Sequence, residues 1–161
     1  MKRNDLFDFL DIPFTFQKRP VAIPADLRAD WRIGILVLIL NISCRGSRAS
    51  IIKLHVMNWA IRSNQGTELF LKLCAGQVSP ESIIVRFEPW LNRAIDLALA
   101  EGILRRVDGD RVELTPSGTI MAKEILGNKE CFAKEKEFLH GLRKSISEER
   151  LKKIIETVIY Q

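Results

Sequence analysis

The sequence is poor in the side chains that carry most catalytic and metal chemistry. Its 161 residues include two histidines, His55 and His140, and three cysteines, Cys44, Cys74 and Cys131. The cysteines are odd in number and far apart, with no CxxC pair and no neighbouring histidine, which argues against a zinc site or a disulfide framework. There is no glycine-rich phosphate loop, no HExxH and no GxSxG. No catalytic constellation can be named, so the chain is read as a non-enzyme without a cofactor or metal. Long apolar runs are missing too, since IGILVLILNI (33–42) covers about half of the ~20 residues that span a bilayer. The N-terminus, MKRNDLFDFLD, mixes acidic with apolar residues and has no small-residue cleavage site, unlike a secretory signal. A cytoplasmic protein is expected, with neither a membrane nor a small-molecule substrate among its partners.

What is present is ordinary globular material. The chain is 47% hydrophobic and 28% charged, long enough to bury a real core as one domain with appendages. The net charge of +5 and a pI near 9.3 suit an acidic partner but are common among proteins that bind no nucleic acid.

Residues 1–24 read as an extended arm. Pro13, Pro20 and Pro24 forbid a long helix, and Phe7, Phe9, Phe14 and Phe16 need a surface to pack on, either the chain's own domain or a partner. Residues 26–44 open with Asp26 or Asp30 as N-cap and continue in a run apolar on every face, which predicts a central core helix, with a buried strand as the alternative that its β-branched residues and Gly34 leave open. A second helix is expected over 48–62, capped by Ser47. Arg48, His55, Asn58 and Arg62 form its narrow polar stripe; His55 is read there as solvated or hydrogen-bonded, not as a ligand or base. A short helix follows over 67–75, and β-branched SIIVRF (82–87) reads as a strand able to pair with a later hairpin.

PWLNRAIDLALAEG (89–102) predicts an amphipathic helix with Leu91, Ala94, Ile95, Ala98 and Leu99 towards the core. Next, Arg105–Val107 and Arg111–Leu114 flank Asp108-Gly109-Asp110, a strong hairpin signal. Thr115-Pro116 then supplies an N-cap and a first-turn proline for a helix to 128, with Ile120, Met121, Ile125 and Leu126 as its apolar face. Residues 129–161 predict charged helical structure. The last helix is capped by Ser147 and carries Leu151, Ile154, Ile155, Val158 and Ile159 on one apolar stripe.

Helix, hairpin, helix is the layout of a winged helix. The fold class expected is therefore mainly α with a small β-wing: a winged helix-turn-helix domain over 25–128, an N-terminal extended arm (1–24) and C-terminal helices (129–161). In DNA-reading members, the helix before the wing enters the major groove with basic and amide side chains outward. Here Asn92 and Arg93 share that face with Asp96, and Glu88 and Glu101 stand at its ends. Carboxylates repel phosphates, which argues against sequence-specific reading. Arg105, Arg106 and Arg111 in the wing are candidates for a sequence-independent DNA backbone contact, unless they are solvated or paired with Asp108, Asp110 and Glu113.

The stretch RFEPWLNRAIDLALAEGILRRVDGDRVELTPSGTIMAKEIL (86–126), with the upstream IIKLHVMNWAIRS, resembles the middle component of ABC three-component systems. These are small winged-helix proteins of SMC-associated anti-phage loci, including Lamassu systems. The resemblance covers about half the chain. It implies a non-catalytic adaptor subunit beside an SMC-like ATPase and an effector such as a nuclease. On that reading, protein contacts are expected from the arm (Phe7, Phe9, Phe14, Phe16) and the last helix (Leu151, Ile154, Ile155, Val158). The alternative is a transcriptional regulator that binds DNA as a homodimer joined through its C-terminal helix.

Overall fold

The computed structural model describes Pro24 and residues 28–145 and 148–159, apart from 84 and 86. The arm's four phenylalanines lie outside the described residues, as do Asp26 and Ser147. The chain is mainly helical, with one small antiparallel sheet. Helix α1 spans Ala29–Ser43, and Ile35 to Leu40 are all fully buried. Its composition explains this: an apolar surface on every side has to be surrounded. Helices α4 (Pro89–Ala100), α5 (Pro116–Gly127) and α6 (Ala133–Ser145) all pack along it. Gly34 lets α6 approach, since a Cβ there would stand 2.6 Å from Cζ of Phe132.

The sheet differs from the expectation in its third strand. Strand β1 is Arg48–Ser50, where the sequence pattern predicts the start of the second helix. It pairs with β3 (Arg111–Leu114), which pairs in turn with β2 (Leu104–Val107), giving the order β1-β3-β2. None of the described residues in 82–87 is in a strand; Pro80–Ser82 is a 3-10 turn and Ile83 is buried. Pairing with β3 outweighs the local helical pattern at 48–50. The helix α2 is accordingly shortened to Ile51–Ile61 and is capped by Ser50, whose hydroxyl accepts from the Lys53 N–H. Helix α3, Asn64–Cys74, starts earlier than expected because Ser63 caps it through the Gly66 N–H.

The cap expected at Thr115 is present. Thr115 accepts from the Gly118 N–H, with Pro116 in the first turn of α5. On that helix Ile120 stands 58% exposed, not on the core face, while Ala122 is fully buried. The helix ends where Lys136, from α6, donates from Nζ to the carbonyls of Ile125 and Asn128. A cation placed on the last carbonyls satisfies acceptors that the helix leaves open.

The last helix, α7 (Glu148–Ile159), returns to the body of the domain against α2, α3 and the Pro80–Ser82 turn. Leu151, Ile154 and Ile155 are buried there. Their stripe therefore packs mainly on the chain itself, where a partner contact had been expected. An amphipathic helix that finds an apolar surface within reach of its own linker covers it. The side chain of Val158 is outside the described residues.

Candidate interaction faces

Two faces emerge from this packing. The first lies at the head of α4, where a buried polar cluster fixes the backbone. Arg32 of α1 is only 2% exposed and donates from Nη1 to Glu88 Oε2 at 2.8 Å. Arg62, at the end of α2, pairs with the other oxygen, Oε1. One carboxylate thus ties two helices to the residue preceding Pro89. The His55 ring completes the cluster. Its Nδ1 accepts from the Glu88 backbone N–H at 3.3 Å, so the neutral ring carries its proton on Nε2. That proton is donated to Asn92 Oδ1 at 2.9 Å. Burial holds the His55 pKa below its ordinary value, opposed by the bond to Asn92.

Of the polar stripe expected on the second helix, Arg48 lies on β1 and Arg62 stands exposed just past the end of α2, so only its middle two residues turn inward. His55 and Asn58 are buried, and the hydrogen-bonded reading of His55 is the one observed. Above the cluster, the Phe87 ring meets His55 edge-on with centroids 4.6 Å apart. Phe87 and Trp90 nonetheless remain 51% and 64% exposed. Asn92, Arg93 and Asp96 share the outer surface of α4, while Leu91, Ala94, Ile95 and Ala98 are buried as expected. Trp90 is legible in the sequence as an outward position, one residue off the Leu91–Ala94–Ala98 stripe. A search of that face for charge and amides alone passes over it.

The second face is the sheet and its edge. Arg48, Glu113 and Arg105 stand in one cross-strand row, one on each strand. The Glu113 carboxylate takes Arg105 on Oε1 and Arg48 on Oε2, the latter at 2.8 Å. Hydrogen bonding from Arg105, helped by Arg48, holds its pKa below the usual carboxylate range. Arg106 reaches towards Asp96 of α4, at 4.0 Å. Of the three hairpin arginines, two are thus turned onto carboxylates; this includes the Glu113 pairing foreseen for them.

Arg111 lies elsewhere. With Arg45, Arg48, Lys53 and Lys152 it lines a groove of about 560 Å³ between the sheet edge, the first turn of α2 and α7. Ile52, with the few per cent of Leu151 and Ile155 that stays exposed, supplies its apolar floor. The structure therefore brings together three residues to which the sequence gives separate roles, Arg111 on the hairpin and Leu151 and Ile155 on the tail. Lys152 shares the tail helix with Leu151 and Ile155, but Arg45 and Lys53 come from two other segments, so no single sequence window reveals the convergence.

Other chemistry is sparse. Among the described residues, no group of three or more His, Cys, Asp or Glu is placed to hold a metal ion. Cys44 and Cys74 are buried, and burial pushes the Cys74 thiol up to about 11, far from a reactive thiolate. No helix among the described residues is long and apolar enough to cross a membrane. No family model, curated protein or solved structure matches the chain.

Proposed function

We propose that the chain is a non-catalytic winged-helix adaptor subunit of an SMC-like ATPase anti-phage complex, docking through the head of α4. The element order α1, β1, α2, α4, β2, β3 with sheet order β1-β3-β2 supports the winged-helix reading; α3 is an insertion before the third helix. The observation that carries the docking role is the exposed pair Phe87 and Trp90, raised on a backbone fixed by the Arg32–Glu88–Arg62 clamp. Large aromatics on rigid supports make strong protein contacts because little entropy is lost when they are covered.

The same face is poorly suited to reading bases. Asp96 stands where a groove-facing side chain would need to donate, and its nearest hairpin cation is Arg106. Arg105, Arg106 and Arg111 keep an auxiliary role on the DNA backbone, without sequence specificity. The homodimeric-regulator reading loses support because Leu151, Ile154 and Ile155, its dimerisation stripe, are covered within the chain.

The test is a tagged pull-down from the intact operon after nuclease treatment, read by mass spectrometry. Stoichiometric recovery of a large coiled-coil ATPase with an effector subunit is expected. Recovery of the protein alone as a homodimer that binds a palindromic site would overturn the adaptor reading.

A further inference from the structure

We propose that the groove beside α7 binds the chain's own N-terminal segment Asp5–Asp11, DLFDFLD, within the same molecule. The groove's lining sets five cations, Arg45, Arg48, Lys53, Arg111 and Lys152, against two carboxylates, Glu149 and Glu156, a net of +3. The segment carries Asp5, Asp8 and Asp11 and no cation, a net of −3. Between those aspartates stand Leu6, Phe7, Phe9 and Leu10, apolar groups for the floor of Ile52, Leu151 and Ile155. Charge and apolar surface thus match in the same short stretch, and nowhere else in the sequence do three aspartates stand in seven residues without a cation.

The competing occupant for a basic surface is a nucleic-acid backbone. A phosphate chain has no use for an apolar floor, and a groove of about 560 Å³ is sized for side chains, within the ordinary range of ligand clefts. Reach presents no obstacle. Sixteen residues lie between Asp11 and Arg28, where the described chain resumes before α1; extended, the seventeen Cα steps span about 56 Å. A globular chain of this length is about 40 Å across, so most of the surface is within range. Such a contact would cover the Leu151–Ile155 edge and place the hairpin cation Arg111 under a carboxylate, so that DNA and the segment compete for it.

The experiment uses the full-length protein with the photo-reactive residue p-benzoylphenylalanine in place of Phe9. After irradiation, mass spectrometry is expected to find cross-links within one molecule to 45–53 or 149–156. Sodium chloride at 1 M should lower their yield several-fold. The double variant Arg111→Glu, Lys152→Glu, folded by circular dichroism, should do the same, and adding Asp8→Lys with Asp11→Lys should restore the yield. Cross-links to Phe87 or Trp90, cross-links only between copies, no cross-links, or a yield indifferent to salt and charge reversal would each overturn the proposal.

Discussion

A Cβ added to Gly118 would stand 2.3 Å from the carbonyl oxygen of Ile103. The first turn of α5 therefore rests directly on the backbone that leads into the hairpin. The neighbouring Thr115 hydroxyl strengthens the junction, donating to Gly102 O at 2.6 Å. The LTPSG stretch is thus a structural joint: Thr115 caps, Pro116 starts the helix, and Gly118 leaves room for the strand. Gly118→Ala should destabilise the fold by about 2 kcal/mol, because the obstacle is backbone that cannot step aside. Gly127→Ala, with nothing within 4 Å, should be neutral or slightly stabilising. Urea denaturation of the two variants measures the contrast.

Glu88 holds two arginines, one of them almost wholly buried. Glu88→Ala removes the carboxylate facing Arg32 and leaves that charge in a poorly solvated site. A loss of about 3 kcal/mol in unfolding free energy is expected. Adding Arg32→Met should recover part of it, since the burial penalty goes with the charge. The double-mutant cycle gives the coupling directly.

His55 sets a pH dependence whose direction follows from its burial. The folded ring has a pKa below 6.5, while the unfolded ring titrates near that value. Below about pH 6.5 the unfolded chain binds more protons than the native one, so stability falls as pH drops through this range and levels off below the folded pKa. His55→Gln should flatten that part of the profile. Thermal melts between pH 5 and 8 check this.

The hairpin arginines test the DNA side of the reading. Replacing Arg105, Arg106 and Arg111 with alanine should weaken the assembled complex's binding to random duplex uniformly across sequences. The slope of log affinity against log salt should drop by about 1 for each phosphate that an arginine no longer neutralises. An unchanged slope would remove the hairpin from the DNA interface.

Local sequence disclosed the elements whose cause is local. The Asp-Gly turn, the Thr115-Pro116 start and the apolar run 33–40 of α1 each follow from a few adjacent residues. The Arg48–Ser50 strand did not, because three residues without a β-branched side chain carry no strand signal and depend on Asp110 to Glu113 for their pairing. The polar stripe of α2 was visible as a pattern, yet its meaning rests on Glu88 and Asn92, more than thirty residues away. For the last helix the apolar stripe was legible, but which surface would cover it was not. The head of α4 lay between these cases, with Trp90 at an outward position and its supporting clamp assembled from three distant segments.

The docking claim is tested most directly by one comparison. Wild-type protein and Trp90→Ala, both confirmed folded, are expressed from the intact operon and recovered after nuclease treatment. The ratio of coiled-coil ATPase to bait is then measured. Near-stoichiometric ATPase with the wild type and at least a tenfold loss with Trp90→Ala are expected, in keeping with about 2 kcal/mol for a hot-spot aromatic. Undiminished recovery with the variant, or a wild-type bait that emerges alone, would contradict docking through the head of α4.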